Sequence, residues 1–379
     1  MSKRIATLAA LALTATGLHA QSPAPAAAAP SAPAAQAPVA QPAAAPGAQA
    51  AAGQPPAEPV HLPRRFDLSR PDIRAFVTDV ARRDHLSRRR VRRLLSRARP
   101  LPLVIEAMNK PAERVLEWWE YRRLFITEQR IGQGVEFWQA HRPTLERVAA
   151  EHGVAPEYLV AILGCETYYG RITGHDRVLD ALMTLAFYYP PRADYFRGEL
   201  EQFLLLVREE HIDPLKVKGS YSGAMGAPQF MPSAYRRYAL DEGHDHRRDL
   251  WSNWGDVLAS IANYLRENGW QPGQPVIADA RLDPDPTFTL DEHGLDLDTT
   301  LARLNAEGVR VTLDLPGDTP AILVPAEEQE GPSYRVGFQN FYVITRYNHS
   351  ARYAMAVNDL AANIAARVHA AALAAAPRS

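Results

Sequence analysis

The run Leu159-Val160-Ala161-Ile162-Leu163-Gly164-Cys165 constrains the fold more than any other stretch, because a carboxylate, Glu166, follows it at once. Pro156 is a helix-start signal and Gly170 a stop, which predicts a helix over Glu157 to Tyr169. On that helix Leu159, Ile162 and Leu163 stand at i−7, i−4 and i−3 from Glu166 and share its face. Such a face points inward, so other elements must cover it, and Glu166 goes in with it. Desolvation disfavours the charged form of a buried carboxylate. A glutamate kept protonated near neutral pH can act as a general acid. Tyr168, Tyr169, Gly170 and Gly174 then suggest the rim of a cleft. A structural alternative stays open, in which Glu166 pairs with a buried arginine. Cys165 reads as a buried structural thiol, since nothing fixes a partner histidine for it.

Cys165 is also the one cysteine among 379 residues, so no intrachain disulfide is possible and the fold must stand on its hydrophobic core. The N-terminus reads as an address. Met1-Ser2-Lys3-Arg4 is basic, Ile5 to Leu18 is largely apolar, and Leu18-His19-Ala20 loosely fits a cleavage signal. The expectation is export to the periplasm or cell envelope with cleavage after Ala20, an uncleaved anchor being the alternative. From residue 21 to 61 the chain is mostly Ala, Pro and Gln and is expected to be a disordered tether.

Three-to-four spacing predicts helices between about residues 62 and 270, as at Ile73, Phe76, Val77 and Val80, from Glu199 to Val207, and from Val257 to Leu265. Between residues 271 and 335, Gly, Pro and Asp punctuate short runs such as Thr287 to Leu290, Val309 to Leu315, and Ala321 to Val324. These read as short strands with turns. Helical character returns from Arg352 to Leu373, within a last part spanning 336–379. The fold class expected is mainly α (α+β), a helical unit carrying a small strand-rich insertion.

Two further segments carry chemistry. Lys218 to Tyr235 gathers Gly219, Gly223, Ala224, Gly226 and Ala227 around Tyr221, Met225, Gln229 and Phe230. Small residues let a ligand approach the backbone, and a Gln amide offers the donor and acceptor that sugar hydroxyl and acetamido groups require. A tight helix crossing would explain the small residues too. Asn340 to Val357 supplies Tyr347, Asn348 and Tyr353. Tyrosine faces suit a sugar ring, and core packing accounts for them equally well.

Together the segments Glu166 to Arg171 (E-T-x-x-G-R), Gly223 to Ser233 (G-A-M-G-x-x-Q-F-M-P-S) and Ile344 to Ser350 (I-T-R-Y-N-x-S) resemble the lytic murein transglycosylase B family. The resemblance runs from about Phe66 to the C-terminal helix. It implies a lysozyme-like core and cleavage of the MurNAc–GlcNAc bond of peptidoglycan, with 1,6-anhydroMurNAc ends and without a cofactor. It implies Glu166 as the single catalytic acid/base, the alternatives being a hydrolytic muramidase on the same scaffold or a non-catalytic peptidoglycan-binding envelope protein. By the same resemblance Ser220, Gln229, Tyr264, Tyr347, Asn348 and Tyr353 match the glycan cleft, and Tyr121 an upstream cleft aromatic. The family often has an arginine pair after Tyr-Pro. Here Tyr189-Pro190-Pro191-Arg192 leaves Arg192 alone to carry over.

The family can also carry an EF-hand-like calcium loop. The matching stretch keeps Asp241, Asp245 and Asp249 but has His246 at the sharp turn and Ser252 in place of the bidentate Glu, so no metal is expected. His244 and His246 lack a complete zinc ligand set. Arg82 to Arg99 is rich in arginine and reads as a solvated face or as an attraction to envelope polyanions. A net charge of −1 gives no general pull toward nucleic acid. The expected partner is peptidoglycan glycan, bound by a monomer.

Overall fold

The computed structural model describes residues 60–109, 116–290 and 294–375. The address segment and nearly all of the Ala/Pro/Gln stretch lie outside the described residues.

The predicted helices form with shifted ends. The helix α1 spans Pro71–Arg83, with Ile73, Phe76, Val77 and Val80 buried. Next come α2 (Arg88–Leu95), α3 (Pro102–Asn109), α4 (Trp118–Phe125) and the long α5 (Glu128–His152). The apolar run becomes α6, Pro156–Thr167. It stops three residues before Gly170, because Tyr168 already takes the left-handed conformation that ends a helix (φ 54°). Every residue from Leu159 to Thr167 is buried. Glu166 is therefore inside, but not because one face of a surface helix turned inward. A helix that is apolar all round sits in the middle of the bundle.

Around it lie α7 (Val178–Tyr188), a 3-10 turn at Pro190–Arg192, and α8 (Ala193–Glu209). There follow α9 (Pro232–Tyr238) and α10 (Trp254–Glu267). A two-residue strand β1 (Asp176–Arg177) pairs antiparallel with β2 (Lys218–Gly219) and fixes the start of the small-residue segment.

Strands β3 (Ile277–Leu282), β4 (Thr299–Thr300), β5 (Val309–Val311), β6 (Pro320–Pro325) and β7 (Tyr334–Gly337) form one sheet in the order β4-β6-β7-β3-β5. All its pairings are antiparallel. A short helix α11 (Leu301–Ala306) lies between β4 and β5 in the chain. Strand β6 shows how the sheet is held. Ala321 and Leu323 enter a small core with Leu301 and Leu304 of α11, whereas Ile322 and Val324 belong to the main helical core. The period of two thus joins both cores through one strand. One expectation changes here. Thr287 to Leu290 forms no strand, while β3, β4 and β7 add strands to the strand-rich stretch beyond the runs named above. Strand β3 mixes Asp and Arg into its apolar positions, so its alternation is weak.

The chain closes with α12 (Gln339–Tyr347) and α13 (Ala351–Ala375). The last packs along α6, α5 and α4, so residues separated by most of the sequence meet at Glu166.

Candidate active site

Glu166 is 3% exposed and accepts a hydrogen bond at Oε1 from the Tyr353 hydroxyl of α13, 2.6 Å away. Burial, reinforced by the Glu166 charge, holds the Tyr353 phenol well above its ordinary range, so it stays a donor at neutral pH. Tyr347 is raised in the same way and by the same two causes, burial first. Its hydroxyl donates to the Pro228 carbonyl at 2.6 Å, which anchors the backbone next to Gln229. Tyr264 packs edge-on against Tyr347, with centroids 4.8 Å apart, and donates to the Arg346 carbonyl. Phe230 closes this aromatic group against both rings.

The turn beyond Glu166 is held from below. Thr167 Oγ1 donates to the Ala227 carbonyl at 2.9 Å and accepts from the Gly170 amide at 3.0 Å. One hydroxyl thus ties α6 to the small-residue loop. Tyr168 and Tyr169 both have positive φ, 54° and 62°, and so does Gln229 at 53°. Non-glycine residues in that region are strained and gather where a site over-determines them. Gln229 is fixed further by its amide, which donates to the carbonyls of Thr173 (3.2 Å) and Gly226 (2.9 Å). The glycines of this loop are required. A Cβ on Gly219 would stand 2.1 Å from the Ala224 carbonyl, and one on Gly226 would stand 2.5 Å from that of Leu250. Ser220 accepts from the Ala224 amide at 3.1 Å and shares a hydrogen bond with Ser222 at 3.0 Å.

Glu166, Tyr353, Tyr347, Tyr264 and Gln229 are thus one connected group, and Ser220 belongs to the same loop as Gln229. Asn348 is buried at the end of α12, beside Tyr347. The Arg192 guanidinium lies over the rings of Tyr195 (4.5 Å) and Phe196 (5.4 Å). Tyr121 is 1% exposed, packed between Trp118 and Phe125 on α4. Burial pushes the Cys165 thiol up to about 12, which keeps it protonated and unreactive.

Among the described residues Asp180, Glu199, Asp256 and Asp359 are buried carboxylates too, and Glu199 is the other glutamate. Glu199 of α8 is 4% exposed and accepts from the Ser233 amide (2.9 Å) and hydroxyl (2.6 Å) at the start of α9. Burial raises it, against the pull of those bonds, of Tyr195 and of Arg192. Its signal was present: Glu199 stands at i+3 from Phe196 and i−4 from Phe203, both buried.

In the Asp241 to Ser252 loop, Asp241 accepts from the amides of Asp245 (3.1 Å) and His246 (2.7 Å), and Asp249 accepts from Trp251 and Ser252. Nearby, Glu151, His152 and Glu242 come within metal-ligand spacing of one another. The Arg147 guanidinium already occupies that cluster, paired with both glutamates.

Comparison with known proteins agrees with this architecture. The membrane-bound lytic murein transglycosylase B of Escherichia coli (strain K12) is 38% identical over 306 residues, covering 78% of this chain and 83% of that protein. The structure of catenated lytic transglycosylase SltB1 from Pseudomonas aeruginosa superposes with a TM-score of 0.75 at 43% identity, covering 79% of this chain and 98% of that one. SltB3 of the same organism, solved in complex with NAG-anhNAM-pentapeptide, gives 0.67 at 31% identity, covering 76% of this chain and 77% of that chain. The fold is the mainly α, lysozyme-like one of these neighbours. The Transglycosylase SLT domain family matches residues 69–362, and this chain belongs to that family.

Proposed function

We propose that this protein is a peptidoglycan lytic transglycosylase that cleaves the MurNAc–GlcNAc β-1,4 bond and leaves 1,6-anhydroMurNAc ends. The observation that carries the reading is Glu166, buried in the central helix and bonded at Oε1 to a phenol that stays protonated. The setting is a family whose relatives are named for murein transglycosylation. One of them was solved with an anhydro-sugar peptide.

Glycosidases commonly use two carboxylates, but substrate-assisted enzymes let the acetamido oxygen act as nucleophile. One acid/base then suffices. Glu166 protonates the glycosidic oxygen, and the C–O bond to the leaving sugar breaks as the MurNAc acetamido oxygen closes on the anomeric carbon. The same carboxylate, now a base, takes the proton from the C6 hydroxyl. That hydroxyl displaces the acetamido oxygen and forms the anhydro ring, so no water is consumed. Because Tyr353 donates to Oε1, the proton to be delivered is directed to Oε2. Gln229, held rigid by two carbonyls, has a side-chain oxygen to accept from the glycan. Tyr264, Tyr347, Asn348, Tyr353, Ser220, Tyr121 and Arg192 complete the proposed contact set. The protein acts in the cell envelope, as an exported periplasmic monomer.

The test is digestion of purified sacculi by wild type and Glu166→Gln, with mass analysis of the products. Wild type should give muropeptides one water lighter than reducing-end products, and the amide variant should give almost none. Products carrying the extra water would replace this reading with hydrolysis.

A further inference from the structure

We propose that the exposed arginine face of α2 is a docking surface for an anionic phospholipid bilayer. Between Arg82 and Arg99 the chain carries nine arginines and one aspartate, although the whole protein has a net charge of −1. Arg88, Arg89, Arg90, Arg92 and Arg93 of α2 are all exposed, and among the described residues none has an ion pair or a side-chain hydrogen bond. Val91 and Leu95 anchor the helix in the core, and Leu94 is half-buried. At 100° per residue the five arginines fan over the remaining arc, along a helix about 12 Å long.

Folding does not ask for this array. The positive end of the helix dipole is at its N-terminus, where acidic side chains are favoured, yet Arg88, Arg89 and Arg90 fill that first turn and no acid stands there. Arg88 with Arg92 and Arg89 with Arg93 are like-charge pairs at i,i+4, which also oppose the helix. Five guanidiniums kept against both terms point to an anionic partner, and guanidinium matches the phosphate group with two hydrogen bonds.

Two observations favour a lipid surface over the carboxylates of a glycan-linked peptide. The array is spread around an exposed helix, so one flexible chain engages part of it, whereas a charged plane engages much of it at once. In α3, the next helix in the chain, Leu103 is 74% exposed, and a bilayer interface buries such a side chain where a hydrated glycan does not.

The experiment compares the full chain with the R88Q/R89Q/R92Q/R93Q variant and with the matching Lys variant. Binding is measured to vesicles of phosphatidylcholine alone, to vesicles containing phosphatidylglycerol, and to purified sacculi. All three proteins share the same N-terminus, so differences report on α2. The Gln variant should bind phosphatidylglycerol vesicles roughly 10²–10³-fold more weakly at low salt, from the usual gain per basic residue at an anionic surface. The Lys variant should keep most of that affinity, and high salt should erase the difference. Sacculus binding, turnover of soluble glycan fragments and melting temperature should stay near wild type. The proposal is overturned if vesicle binding is indifferent to phosphatidylglycerol or to the Gln changes. It is equally overturned if the variant loses sacculus binding instead, which would assign the surface to peptidoglycan carboxylates.

Discussion

Two glutamates of this protein are almost equally buried, Glu166 at 3% and Glu199 at 4% exposed, and they sit in unlike surroundings. Glu199 is gripped on both oxygens by a single residue, Ser233, whose amide and hydroxyl belong to the first turn of α9. It staples α8 to α9 through Ser233, two residues past Met231 at the end of the loop that carries Gln229. Glu166 instead receives a phenol from α13, a donor on a rotatable side chain at the other end of the fold. Burial alone therefore does not separate the two. Backbone and hydroxyl at a helix start make a fixed strut for Glu199, which the Tyr195 phenol also pulls down, whereas the phenol that reaches Glu166 comes from α13.

The sharpest way to break the comparison is to remove each carboxylate. Glu166→Gln should lower turnover of peptidoglycan by about 10³-fold or more, in line with the loss of a general acid/base, with the melting temperature little changed. Glu199→Ala should do the reverse. Two half-buried donors of Ser233 lose their acceptor and a small cavity opens, which costs roughly 2–4 kcal/mol of stability. Turnover per folded molecule should fall only several-fold. Chemical denaturation and turnover, measured on both variants, decide the matter. An inactive but fully stable Glu199→Ala would make Glu199 a member of the reacting group. Next in size, Tyr353→Phe removes one hydrogen bond to a carboxylate and should slow turnover roughly 10–100-fold. The same variant should leave product identity unchanged in the mass spectrum. A rate equal to wild type would leave Tyr353 as packing alone.

The two glutamates also show what a sequence conveys. The helix, its apolar content and the burial of Glu166 were legible around residues 159–166, because local spacing carries them. That α6 is covered on every side was not, since its covers come from α5, α10 and α13. The bond from Tyr353 spans 187 positions, so only likeness to known proteins could have put that residue beside Glu166. Glu199 was within reach of the very spacing argument used for Glu166, yet its partner lies 34 positions on, in a different helix. The strands tell the same story. Ala321 to Val324 was legible because it is apolar on both faces. The run at Thr287 to Leu290 has strand-like residue types, but Phe288 and Leu290 pack beside the small core from irregular backbone.

The smallest effect would refine the strut assignment by pH. Glu199 in the folded protein is held above the ordinary carboxylate value of 4.5, chiefly by burial. Between that value and its raised one, the folded state binds the proton that the unfolded state has released. Stability from this group is present at low pH and is lost as pH rises through that window. Glu199→Gln keeps the shape and cannot titrate. Its amide oxygen can accept from the Ser233 amide, and its nitrogen can donate to the Ser233 hydroxyl, which turns to suit. The variant should therefore lie within about 1 kcal/mol of wild type, the size of one net hydrogen bond. Relative to wild type it should gain as pH is raised from below 4.5 toward neutrality. Melting curves of both proteins across that range measure the difference directly. A gap that stays constant with pH would mean that Ser233, Tyr195 and Arg192 just cancel the burial of Glu199, and a gap that changes in the opposite sense would mean that they outweigh it.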